Sequence, residues 1–156
     1  MGFFYVPGQP TSSPGLILGG DSMTFIFGLA IGFLHLALAS GVMFAFGGIP
    51  FLWKAVNEEI TRLIAFWLSP RIAGKKLTFW TAVIAGLTIG IVESIDYIVA
   101  FSTSWEESLY RLFPISIHVS ASVLIFWALS LRRIRFFIAA LVIHFVYNYG
   151  LTYFNI

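Results

Sequence analysis

The chain has 156 residues, of which 59% are hydrophobic and only 10% charged, and its mean hydropathy is +0.92. Soluble domains carry about 25% charged residues, and a water-soluble chain this small has nowhere to hide so much apolar surface, so lipid is the solvent for most of it. The net charge of +2 says little, because in a membrane protein the placement of Lys and Arg outweighs their sum; the absence of cysteine excludes a disulfide framework, a thiol nucleophile and a thiolate metal site.

In chain order, residues 1–22 lack a basic start and carry three prolines, which points to a short irregular arm and not to a cleavable signal peptide. Residues 23–156 form a single all-α domain, a multipass bundle of about five membrane-spanning helices. A span needs roughly 20 apolar residues. Residues 23–46 meet that standard, with His35 their only titratable side chain. Residues 51–69 are long enough but hold Lys54, Glu58, Glu59 and Arg62. Residues 77–101 contain Glu93 and Asp96, residues 114–131 open on a tolerated first-turn proline and hold His118, and residues 134–154 hold His144 and Asn148. No proline falls inside any of these five segments. Internal repeats and low-complexity tracts are absent.

Orientation follows from the loops. Arg71, Lys75 and Lys76 lie between the second and third segments, and the run 132–135 where the fourth meets the fifth carries Arg132, Arg133 and Arg135. Five crossings place both groups on one face, which the positive-inside rule makes cytoplasmic, together with the N-terminus. On that topology Glu58, Glu93, His118 and Asn148 all sit roughly 6–12 Å below the outer boundary, at 1.5 Å per residue. Scattered polar accidents would have no reason to agree in depth.

Helical phase groups them further. Residues four apart lie within about 40° of each other, so Lys54, Glu58 and Arg62 form one ridge while Glu59 points about 100° away. His144 and Asn148 share a face. Gly86, Gly90, Glu93 and Tyr97 share a stripe on which the glycines let another helix approach closely. A charged side chain at a span's centre costs about 2.5–3.5 kcal/mol on insertion scales, against about 0.3–0.6 returned by each Leu, Ile or Phe. The second segment therefore needs partners for its charges, and intramembrane ionisable residues are by default a functional-site hypothesis. Blander roles suit some of them: a packed structural residue for His35, a snorkelling anchor for Lys54, a wet interfacial acid for Asp96. Trp53, Trp67, Trp105, Tyr110 and Tyr153 suit an aromatic belt at the membrane boundaries.

Several chemistries find no support. The sequence has no HExxH pair, no GxSxG elbow, no phosphate-binding glycine loop and no nucleic-acid-binding pattern. Carboxylates, imidazoles and a carboxamide remain, a set suited to activating a water and holding the oxyanion that results.

The order of these residues carries a resemblance. "EEITR" (Glu58–Arg62), "GLTIGIVESIDY" (Gly86–Tyr97), "RLFPISIH" (Arg111–His118) and "HFVYN" (His144–Asn148) resemble the PrsW-type glutamic intramembrane proteases, which share a superfamily with CAAX prenyl proteases and bacteriocin-processing enzymes. The family pattern is EExxK, then FxxxE with a small polar residue and a Tyr, then His, then HxxxD or HxxxN. Arg62 stands in place of Lys, Ile89 in place of Phe, and Ser94 where Asn is common. The resemblance implies a hydrolase, an endopeptidase in a prokaryotic cytoplasmic membrane that cleaves a membrane protein or peptide. It implies Glu58 as general base, assisted by Glu93 or His118, with His144 and Asn148 holding the oxyanion. Arg62 would neutralise and orient the Glu58/Glu59 pair, Tyr97 would support the site, and the role of Glu59 stays open.

No cofactor is expected on this basis, with Zn²⁺ held by Glu, His and water as the rival. A non-catalytic scaffold like the multipass scaffold subunit of gamma-secretase, and a small proton-coupled transporter, are the other rivals. The expected partners are the bilayer and the peptide substrate. Oligomeric state is not legible.

Overall fold

The computed structural model describes residues 22–46, 51–101 and 112–154, and these form five helices with no strand among them. They are α1 (Ser22–Ala45), α2 (Phe51–Ala73), α3 (Phe79–Phe101), α4 (Leu112–Leu131) and α5 (Ile134–Phe154). Helices α1, α3 and α4 are long and apolar enough to cross a membrane. The expected N-terminal arm, Trp105, Tyr110 and Arg111, and the side chain of Tyr153, lie outside the described residues.

Helix α1 packs on α2 and α3, α3 on α4, α4 on α5, and α5 returns to α2, so the five close a ring that α2 also spans toward α4. Small residues set the two tightest pairings. A Cβ at Gly86 would lie 2.6 Å from Val119 Cα, and one at Gly90 would lie 2.7 Å from Ile115 Cα, so α3 meets α4 backbone to backbone. Gly32 brings α1 equally close to Thr88 of α3, at 2.7 Å. The glycine stripe thus does what its spacing suggests, and its partner is the helix that carries His118.

The bundle is apolar outside and polar within. Helix α2 shows this most sharply: Trp53, Ile60, Ile64 and Trp67 face outward while Glu58, Glu59, Thr61 and Arg62 are buried. Its charges are not a defect in a span, because the ring interior provides their partners. Ile31, Ala65, Phe66, Ala85, Ala121, Ile125 and Ala140 form an apolar layer across the bundle. That layer lies below the polar residues, on the side of the basic loops.

One helix end differs from the sequence expectation. Pro70 lies inside α2, which runs on to Ala73. Proline removes its own bond to Phe66 O and crowds that carbonyl, yet the helix continues for three residues beyond it. The helix ends instead at Gly74, with φ +62°, where Lys75 N–H reaches back to Pro70 O at 3.2 Å. Helix α4 ends the same way at Arg132, φ 53°, with Arg133 N–H donating to Ala128 O at 3.1 Å. Thr78 caps the start of α3 by accepting the Thr81 N–H at 3.1 Å. Arg71, Lys75, Lys76, Arg132, Arg133 and Arg135 are all exposed at this end of the bundle.

Candidate active site

At the opposite end the ring encloses a cleft of about 450 Å³ to which every helix contributes. Helix α2 supplies Lys54 and Glu58, α3 supplies Glu93 and Tyr97, α4 supplies His118, and α5 supplies His144 and Asn148. Helix α1 adds an apolar wall with Leu36, Ala39 and Met43. Residues from Leu36 on α1 to Asn148 on α5 therefore meet at one end of the bundle.

Within the site, seven groups form one continuous polar chain. Lys54 Nζ lies 3.5 Å from Glu58 Oε1. Glu58 Oε2 lies 3.1 Å from His144 Nε2, an oblique contact that leaves this oxygen without an aligned donor. The other ring nitrogen, His144 Nδ1, is 2.7 Å from Glu59 Oε1. The same Glu59 oxygen accepts from Arg62 Nη1 at 2.5 Å. Arg62 Nη2 continues to His118 Nδ1 at 2.8 Å, and His118 Nε2 reaches Glu93 Oε2 at 2.8 Å. The two imidazoles stand edge to face, 5.2 Å apart with an interplanar angle of 89°.

Burial separates the members. Glu59 and Arg62 are fully buried and lie behind the cleft, whereas Glu93 keeps 29% of its side chain exposed within it. Glu58 lines the cleft although only 3% of its side chain is exposed. A buried pair such as Arg62–Glu59 contributes little net stability against apolar replacements, but removing one partner leaves a costly bare charge.

Sequence reasoning assigned several of these partners differently. Phase put Arg62 on the ridge with Glu58, yet its guanidinium pairs with Glu59 and His118, and it is Lys54 that lies against Glu58. Lys54 is thus more than a snorkelling anchor. His144 was expected to face a substrate oxygen, but both of its ring nitrogens face carboxylates. Asp96 is exposed at the edge of the cleft, and Tyr97 lines it. His35 is buried away from the cleft, with Nδ1 3.3 Å from Thr61 Oγ1. Thr61 in turn donates to Asn57 O at 2.8 Å, and Asn57 Nδ2 donates to Ala39 O at 3.3 Å, so this group ties α1 to the helix carrying Glu58 and Glu59.

Ser94 and Tyr147 also line the cleft. Nothing in the sequence singles out Tyr147, and Ser94 stands out there only as a departure from the family pattern. Ser94 adjoins Glu93, and Tyr147 adjoins Asn148, so adjacency to a singled-out residue was the available signal. Glu58, His118 and His144 could each offer one ligand atom to a metal ion, all within 4.8 Å of one another. No family model, curated protein or solved structure matches this chain.

Proposed function

We propose that this protein is an intramembrane endopeptidase of the glutamic type, in which Glu58 activates a water for attack on a peptide bond of a membrane protein. The observation that carries the proposal is the convergence of Glu58, Glu93, His118, His144 and Asn148 on one cleft at one end of an otherwise apolar bundle. All five helices cross the membrane, because α2 and α5 present apolar side chains outward along their lengths just as the three plainly apolar helices do. The six exposed basic residues at the far end orient that end to the cytoplasm, so the cleft opens near the outer face.

The chemistry proceeds from the geometry. Glu58 takes a proton from water as the water oxygen bonds to the substrate carbonyl carbon. The carboxamide of Asn148, one helical turn beyond His144, donates an N–H to the oxyanion. Collapse of the tetrahedral intermediate breaks the C–N bond, and the proton passes to the leaving nitrogen. Glu59 and Arg62, which do not line the cleft, act as positioning residues.

Zinc is the second reading, favoured by the proximity of Glu58, His118 and His144. The His144–Glu59 contact suits it, since a ligating histidine ordinarily donates its other N–H to a carboxylate. His118 fits poorly. Its Nδ1 accepts from Arg62, so a metal at Nε2 would have to displace the ring's proton and leave an imidazolate. Cleavage that persists in strong chelators supports the metal-free reading; loss on chelation with recovery on added Zn²⁺ would replace it. A proton-coupled transporter is disfavoured because the cleft lies near one end of the bundle and the sequence shows no inverted repeat.

The experiment is to reconstitute the protein in liposomes with a library of single-span peptides and map new termini by mass spectrometry. Glu58→Gln, nearly isosteric, is expected to reduce cleavage by about 10²–10⁴-fold, the worth of a positioned general base. A Glu58→Gln protein that inserts normally and cleaves at the wild-type rate overturns the assignment.

A further inference from the structure

Arg62 reaches two different helices with one guanidinium, and that has a chemical consequence. A guanidinium has donors and no acceptor, and it keeps its charge in proteins. His118 Nδ1, 2.8 Å from Arg62 Nη2, must therefore be the acceptor. The ring's proton then sits on Nε2, the nitrogen that points at Glu93 Oε2 from 2.8 Å. His118 is a neutral ring that donates to Glu93, and its contact with that carboxylate is a hydrogen bond and not an ion pair.

The other half of the fork acts in the opposite sense. Glu59 Oε1 accepts from Arg62 Nη1 at 2.5 Å and faces His144 Nδ1 at 2.7 Å. An oxygen already committed as an acceptor to a guanidinium presents an acceptor to the imidazole as well, so His144 carries a proton on Nδ1. Its Nε2 faces Glu58 Oε2 across 3.1 Å, an oblique approach without an aligned hydrogen bond but close enough for a proton to pass once the two align. Tautomers are assigned by such partner logic.

We infer that Arg62 fixes the two imidazoles in opposite roles: His118 is a locked Nε2–H donor that positions Glu93, and His144 is the ring through which protons move. The catalytic part of this rests on the peptidase proposal; the tautomers themselves do not. In the reaction, Glu58 takes one proton from water, the proton carried on His144 Nε2 goes to the leaving nitrogen, and the proton on Glu58 refills Nε2 across the 3.1 Å contact. One proton enters the pair and one leaves it, a C–O bond forms and the C–N bond breaks, and the pair returns to its starting state. His118 neither gains nor loses a proton.

The chain has three histidines, so ring-¹⁵N labelling of the full-length protein in nanodiscs gives three resolvable rings, assigned by single His→Gln variants. The expected His118 signal has a bare Nδ1 and a protonated Nε2, while His144 has a protonated Nδ1. A proton on His118 Nδ1, alone or together with Nε2, overturns the inference. Arg62→Lys, which keeps the charge but loses the fork, is expected to unlock the His118 pattern. If that variant does not fold, the wild-type spectrum still decides the tautomers.

Function is tested by substitution. A glutamine can accept from Arg62 and donate to Glu93 at once, so His118→Gln should recover cleavage to within about tenfold of wild type while His118→Ala loses about 10²-fold. His144→Gln, which cannot exchange a proton, should lose about 10²–10⁴-fold. A folded His118→Gln protein no better than His118→Ala, or a His144→Gln protein as active as wild type, overturns the division of roles. Absence of cleavage by the wild-type protein would instead remove the peptidase proposal and leave the tautomers standing on their spectra.

Discussion

Gly86→Ala perturbs the site without touching any of its polar groups. The added Cβ would lie 2.6 Å from Val119 Cα and 2.8 Å from His118 O. Both are backbone atoms, so no rotamer change relieves the contact. Carbon atoms rest at about 3.5–4.0 Å, and α4 must therefore withdraw from α3 by about 1 Å. The residue carried away is His118, whose 2.8 Å bond to Glu93 joins those same two helices. A further 1 Å leaves that contact beyond hydrogen-bonding distance. Overpacking of this kind costs about 1–3 kcal/mol, and a 1 Å misplacement in an active site costs about 10²-fold in rate. Denaturant unfolding in bicelles reads the first quantity, the ¹⁵N signal of His118 reports the bond, and peptide cleavage reads the rate. Gly41→Ala is the control, since nothing lies within 4 Å of its added methyl; it should leave the His118 signal unchanged and not destabilise the fold. A Gly86→Ala protein with wild-type stability and an unshifted His118 ring would refute the coupling of α3–α4 packing to the site.

Other perturbations separate conformational, electrostatic and topological effects. Gly74→Ala should destabilise by about 1–2 kcal/mol in the same unfolding assay, because φ +62° is unfavourable for any side chain and no neighbour crowds the position. Arg62→Met leaves Glu59 buried beside an apolar side chain and should cost about 3–5 kcal/mol. Lys54→Met, at a group with 39% of its side chain exposed, should cost less than about 1 kcal/mol. Because the sequence has no cysteine, single substitutions report sidedness cleanly: Ser40 is exposed and lines the cleft from α1, so Ser40→Cys should react with a membrane-impermeant maleimide from outside the cell, and Lys75→Cys only from the cytoplasmic side.

Much of the architecture was legible because hydropathy, prolines and glycines mark the helices. The bounds of α5 agree residue for residue with the apolar run, and Gly86 and Gly90 announced a close neighbour. The shared depth of Glu58, Glu93, His118 and Asn148 was legible too, since 1.5 Å per residue converts position into depth once a helix is anchored. The continuation of α2 past Pro70 was not, because a proline that removes a bond to Phe66 O and crowds that carbonyl reads as a stop.

Pairing was less accessible than placement. Phase arithmetic locates a Cβ, whereas Arg62 extends far enough to reach Glu59 on its own helix and His118 on α4. The divergence of Glu58 and Glu59 was visible in the sequence, but not that His144 would lie between them with one nitrogen toward each. Which helix stands opposite which is decided by packing, and the ring order α1–α3–α4–α5–α2 departs from chain order where α3 packs on α1 and α4 instead of on α2.

Cleavage of a single-span peptide in H₂¹⁸O by the purified, reconstituted protein, run beside Glu58→Gln, tests water activation in the cleft most directly. The prediction is one ¹⁸O in each newly formed C-terminal carboxylate with the wild-type protein, and product reduced by at least about 10²-fold with the variant. Product formed equally by both proteins, or a peptide library left intact by the wild type, would contradict it.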